Sequence, residues 1–203
     1  MLKAPAQGSE TRTRIVDAAI ETLRQDGFGR TSARSIARRG GFNQALIFYH
    51  FGTVNDLLLT AIDHLGGDRR RAYEEAFDGL RDLVEVVGEA RRLYGEDVES
   101  GHATVVAELF AASSGDPALG EQMLARMAPW LDFTEALIRR FTQRTPLAQL
   151  VDARAAAGAA IALYIGMDML VHLESDRSRA TAMFDACERL ASTLAPILGG
   201  DSR

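Results

Sequence analysis

Apolar residues recur at spacings of three and four along almost the whole chain, and no segment alternates apolar and polar positions for long enough to make a strand. The pattern predicts an all-α protein. Over residues 11–25, Ile15, Ala18, Ala19 and Leu23 share one face, while Arg12, Arg14 and Glu21 lie largely off it, as an amphipathic helix requires. Gly27-Phe28-Gly29 ends this helix, because glycine accepts left-handed backbone without cost. Thr31 or Ser32 offers an N-cap hydroxyl to a short helix that reaches about Arg39. Gly40-Gly41 breaks the chain again. Asn43 caps a second short helix over 44–51, and Thr53 caps a fourth helix, with Asp56 placed three residues on in an approximate capping box. Residues 1–10, with Ala4, Pro5, Gly8 and Ser9, read as a flexible arm.

A longer helical region follows. Leu57, Leu58 and Ile62 open it, Gly66-Gly67 interrupts it, and Tyr73, Phe77 and Leu80 resume the pattern. Asp116-Pro117 is a helix start, a capping carboxylate followed by a residue with no amide hydrogen to satisfy. Met123, Met127, Trp130 or Leu131, and Phe141 continue it, with Pro129 a kink or a break. Residues 151–173 are apolar almost all round, so this helix must bury more than one face or meet another subunit. The last segment, about 177–198, aligns Met183, Phe184, Cys187, Leu190, Leu194 and Leu198, and Gly199-Gly200 stops it. The boundaries expected are an arm over 1–10, a helix-turn-helix domain over 11–56 and a larger helical domain over 57–203.

The composition, 47% hydrophobic and 25% charged over 203 residues, supplies a core and excludes global disorder. The longest uncharged apolar run, 155–167, is shorter than the ~20 residues that cross a bilayer, so no membrane partner is expected. One cysteine, Cys187, allows neither an internal disulfide nor a Cys-rich zinc site, and Met1-Leu2-Lys3-Ala4-Pro5 lacks an apolar signal core. The chain reads as cytoplasmic. Its net charge of -5 is unevenly distributed. Residues 1–52 hold eight basic and four acidic side chains, which leaves the rest at -9. A basic head on an acidic body permits attraction to a polyanion without establishing it.

Residues 11–58 resemble the DNA-binding domain of the tetracycline-repressor (TetR) family of bacterial regulators. The matching residues are the first helix ending in Gly27-Phe28, then Thr31-Ser32-Ala33-Arg34-Ser35-Ile36-Ala37, Gly41-Phe42-Asn43, Ile47-Phe48-Tyr49-His50-Phe51 and Asp56-Leu57-Leu58. Ile15, Ala19, Leu23, Phe28, Ile36, Ala37, Phe42, Ile47, Phe51 and Leu57 are spaced to form one small core that sets the angle between the two short helices. Phe48 is read as part of that core beside Phe51. The resemblance places Arg34, Gln44, Ala45 and Leu46 toward base edges, where Gln44 suits adenine, Arg34 guanine, and Ala45 and Leu46 a thymine methyl. It places Tyr49, His50 and Thr53 toward phosphates, and Asn43, at the start of the reading helix, joins the DNA-binding set. The family usually has lysine where this chain has Val54 and tyrosine where it has Phe48. The first difference removes a phosphate contact, which implies either a more weakly bound operator or compensation by Arg12, Arg14 or the arm.

The resemblance further implies that the C-terminal region dimerises and holds a small-molecule effector. Phe110, Met123, Met127, Trp130, Phe133, Tyr164, Met167 and His172 are the candidate lining residues, large and adaptable side chains mixed with a few polar groups. Asp168 and His172, four apart, share a helix face as a surface or interface pair, and two such residues without a third make a poor metal site. Small residues 155–160 allow close helix approach, so the two C-terminal helices of each subunit would build a four-helix bundle. The partners implied are a double-stranded DNA operator, a second copy of the chain and an effector. No cofactor, metal or catalytic residue is expected. The chain has no Gly-x-Ser-x-Gly elbow, phosphate-binding loop or His-Glu-x-x-His, and His64, His102 and His172 are scattered. A helical protein-interaction adaptor is the other reading, with an enzyme behind it.

Overall fold

The computed structural model describes residues 5–143, 145–174 and 178–198. These form nine α-helices and two short 3-10 turns, with no strand among the described residues. The helices are α1 (Pro5–Asp26), α2 (Ala33–Gly40), α3 (Ala45–Phe51), α4 (Val54–Phe77), α5 (Leu83–Ser100), α6 (His102–Ser113), α7 (Pro117–Thr142), α8 (Ala153–Glu174) and α9 (Ser178–Leu198). The fold is all-α with an N-terminal helix-turn-helix, as the periodicity predicts.

Several boundaries differ from the sequence reading. Residues 5–10, expected in the arm, are the first turns of α1, while residues 1–4 of that arm lie outside the described residues. The Gly66-Gly67 pair does not interrupt α4, and Pro129 sits inside α7 without ending it. Each glycine costs about 1 kcal/mol against alanine in a helix interior, which the packing of Leu57, Leu58, Leu59 and Ala61 into a core outweighs.

The chain divides into two compact units. The first comprises the residues up to Asp68 together with Val105–Ala125, and the second comprises Arg69–Thr104 with the chain from Arg126 onward. The expected division after residue 56 is therefore not where the compact units part. In the first unit, Ile15, Ala19, Leu23, Ile36, Ile47 and Leu57 are fully buried, with Phe28, Phe42 and Phe51 packed against them. Val105, Leu109, Leu119 and Met123 complete that core from α6 and α7. Asp116 anchors the returning segment: its carboxylate accepts from the Ala118 and Leu119 amides, both at 3.1 Å, and from Asn55 Nδ2 at 3.1 Å. Glu108 does the same for the end of α1 by accepting from the Phe28 amide at 2.7 Å.

In the second unit, Tyr94, Met167 and Ala180 form a smaller core, with Tyr164, Met183 and Phe184 against it. The stretch Ala153–Val171 of α8 has a mean hydropathy of 1.4, and only 22% of it is buried in the single chain. Counted through Arg154 and Asp168, this stretch has the length and composition to cross a membrane, although its uncharged run alone falls short. Leu163, Met169 and Leu170 are exposed on α8, and Leu190 on α9.

Candidate nucleic-acid interface

The geometry of the head begins with its caps. Ser32 is the residue that caps α2: its hydroxyl accepts from the Ser35 amide at 3.2 Å, and the Ser35 hydroxyl accepts from the Ser32 amide at 2.8 Å. Two otherwise orphaned donors are satisfied reciprocally. α2 closes on Gly41, whose φ of 66° is left-handed. A side chain is barred one residue earlier too. A Cβ at Gly40 would run into the Phe42 ring and come within 2.9 Å of the Ala18 Cβ. The close approach of α1 and the turn thus depends on glycine here.

Asn43 starts the reading helix, its Oδ1 accepting from the Ala45 amide at 2.9 Å. Thr53 starts α4, its hydroxyl accepting from the Asp56 amide at 3.0 Å and donating to the Asp56 carboxylate at 2.6 Å. Two members of the expected DNA-binding set are therefore engaged in positioning the helices. The Thr53 proton is directed at Asp56, whose carboxylate would repel a phosphate at that spot.

Arg12 and Arg14 also hold the head together. Arg12 donates to the His50 carbonyl at 3.0 Å and lies 4.4 Å over the Phe51 ring, and Arg14 donates to the Gly40 carbonyl at 3.2 Å. Cations at the C-terminal ends of α2 and α3 satisfy unpaired carbonyls and oppose the partial negative charge there. These arginines are already in use as internal clamps, which qualifies the expectation that they replace the missing lysine at Val54. Arg39 is likewise tied to Asp26, at 3.0 Å.

The remaining predicted residues are exposed or half-buried, with Leu46 packed against the first unit's core. Arg34, Gln44 and Ala45 are exposed, Leu46 and His50 are half-buried, and Tyr49 is 81% exposed. The Tyr49 ring stands edge-on to His50 with centroids 4.9 Å apart. Phe48 corrects the sequence reading. It is 50% exposed rather than buried, because the core takes Ile47 and Phe51, four residues apart, and leaves the intervening position on the flank of α3. Arg38 was missed. It stands one turn after Arg34 on α2, equally exposed, and among the described residues no ion pair or hydrogen bond holds either. The (i, i+4) spacing was the available signal.

The candidate effector residues do not converge on one place. Met123 is buried in the first unit's core and Phe110 packs against it, because α6 and α7 return to complete the head; neither lines a cavity in the second unit. Trp130 is edge-on to Tyr73 at 5.3 Å, Phe133 edge-on to Phe77 at 5.9 Å, and Met167 is buried beside Tyr164. Met127 is half-buried on α7. His172 lies in α8, but its side chain is outside the described residues, so its pairing with Asp168 is untraced; Asp168 itself is buried rather than at the surface.

What the second unit does hold is a polar cluster on Asp97 that the sequence reading did not find. The Asp97 carboxylate is buried and accepts from Arg69, from the Tyr73 hydroxyl at 2.7 Å and from the Tyr164 hydroxyl at 2.8 Å. Burial pushes both tyrosine hydroxyls far above their ordinary range, and the neighbouring carboxylate adds to this. Burial also lowers the nearby His102 imidazole below its ordinary value, with Asp97 pulling the other way.

Residues 15–61 match the tetR family of bacterial regulatory proteins. An HTH-type transcriptional repressor of Mycobacterium tuberculosis is 39% identical over 64 residues, 32% of this chain and 34% of the relative. The matched stretch thus spans about a third of that protein's length. The fatty acid degradation regulator FadR of Bacillus halodurans shares the fold across the whole of both chains, with a TM-score of 0.75 at 16% identity. The multidrug binding protein EbrR, solved with imidazole, superposes with a TM-score of 0.62 at 27% identity, over 93% of this chain and 91% of that one.

Proposed function

We propose that the chain, whose residues 15–61 match the tetR family of bacterial regulatory proteins, is a transcriptional regulator of that family, acting in the cytoplasm as a repressor. It binds a palindromic operator as a homodimer and is released by a small-molecule effector. The observation that carries the reading is the exposed N-terminal turn of α3, with Gln44 and Ala45 outermost, on a head whose every turn is fixed by a cap or a clamp. A short helix so presented suits a major groove. Gln44 would pair bidentately with adenine, and Ala45, Leu46 or Phe48 would lie against a thymine methyl. Arg34 would read guanine. Tyr49 and His50 would hold phosphates.

Dimerisation is supported by the unburied apolar length of α8 and by Leu190 on α9. A large exposed apolar patch marks an interaction site, and the alanines of α8 would let a second copy approach closely. A two-fold pair of heads then meets half-sites one or more helical turns apart. Repression is carried over from the mycobacterial relative's name, and an effector role from the ligand-binding neighbours. Met127, Trp130, Phe133, Tyr164 and Met167 remain the proposed effector-side residues. An effector can act only through a difference in its affinity for the DNA-competent and incompetent states.

The test is a gel shift and footprint on the DNA upstream of the chain's own gene, with a salt titration. A protected inverted repeat and a steep salt dependence support the reading. Equal affinity for every duplex tried, or no binding at low salt, refutes it.

A further inference from the structure

We infer that the cleft at the C-terminal end of α4 binds a hydrophobic organic cation. The cleft has a volume of about 470 Å³ and lies within the second unit, between residues 74–78 and residues 133–140 of α7. That size suits a compact aromatic ligand. Phe77 forms its floor, Phe133 meets Phe77 edge-on at 5.9 Å, and Leu137 extends the apolar wall. Aromatic faces attract cations through their quadrupole.

The electrostatics select the sign of the guest. Glu74, Glu75 and Asp78 line the cleft at the C-terminal end of a 24-residue helix, where the backbone already presents partial negative charge. Stability alone would favour basic residues there, and the last turn of α4 has none. Arg140 also lines the cleft and Arg70 stands beside Glu74, and both cations are engaged. Arg70 pairs with Glu74, and Arg140 donates to the Phe77 carbonyl at 3.0 Å and the Leu80 carbonyl at 3.3 Å while lying 4.9 Å over the Phe141 ring. Glu75 and Asp78 are left exposed, with no ion pair among the described residues. An apolar floor beneath two such carboxylates fits a bulky cation that is poorly hydrated and can use both surfaces. An anion or a small hydrated metal ion can use only one or neither.

The inference names a ligand class for the proposed effector and rests on that reading only for its consequence on DNA. Binding is tested first, with tetraphenylphosphonium and tetraphenylborate, ions of one shape and opposite charge. The single tryptophan, Trp130, stands one turn before Phe133 and supplies a fluorescence signal alongside calorimetry. The phosphonium should bind and the borate should not. Glu75→Gln with Asp78→Asn should weaken the phosphonium about tenfold or more, while Glu10→Gln with Glu121→Gln, equal in charge change but outside the cleft, should leave it nearly unchanged. Phe133→Ala should weaken binding with the carboxylates intact. Equal binding of both ions, or equal losses in the two double variants, overturns the assignment. Phosphonium is then added to the protein–DNA complex. Release supports the effector role, and a bound cation that leaves the complex intact removes that role while the site stands.

Discussion

On the proposed reading, Gln44 and Arg38 make two kinds of DNA contact. Gln44→Ala should cost about 1–3 kcal/mol on the operator and almost nothing on random duplex, measured by parallel titrations. Equal losses on both would place Gln44 away from the bases. Arg38→Ala should weaken every duplex alike and reduce the salt slope by about one; a loss confined to the operator would count against a phosphate role. The reading-helix positions were legible in the sequence because glycines and cap residues mark both of its ends. Phe48 was not, since a seven-residue helix offers too few turns to decide which of two adjacent aromatics faces inward. Arg12 and Arg14 were seen as surface charge, but their carbonyl partners, 38 and 26 residues away, cannot be read from local spacing.

At the scale of elements, Asp97 ties Arg69 and Tyr73 of α4 and Tyr164 of α8 to α5. A buried carboxylate is tolerable only with such a full set of donors. Nothing in the periodicity reveals it, because the partners come from helices far apart in sequence. His102 beside it gives a measurable consequence. Its folded-state imidazole binds a proton less readily than the ordinary value of 6.5, chiefly through burial. The unfolded chain therefore takes up the proton first, and stability present above about pH 6.5 declines as the pH falls below it. Urea unfolding at pH 7.5 and 5.5 should show this loss in the parent protein, and His102→Asn should reduce it. An unchanged pH dependence in the variant would show that the titrating group lies elsewhere. α4 itself taught a different lesson. Helix propensity alone predicts a break at Gly66-Gly67, and the burial of Leu57, Leu58 and Leu59 carries the helix through.

For the whole molecule, the exposed apolar face of α8 is the feature that bears on assembly. Leu163→Glu with Leu170→Glu would place two charges in the proposed subunit interface, at residues 46% and 39% exposed in the single chain. Sedimentation should then shift from dimer to monomer, and operator affinity should fall because two heads no longer bind together. A parent protein already monomeric at micromolar concentration would rule out the dimer. The apolar excess of residues 151–173 was plain in the sequence; which face stays open required the fold.

The return of Val105–Ala125 to the head has a practical meaning for anyone transplanting specificity between regulators. Leu57, Leu58 and Leu59 lie beyond a cut at residue 56, as do Val105, Leu109, Leu119 and Met123. A chimera spliced there would strip the donor's recognition module of half its hydrophobic support and ask a foreign scaffold to replace it. On the proposed reading, exchanging the surface residues Arg34, Gln44 and Ala45 on an otherwise intact chain is the sounder route to a new target sequence.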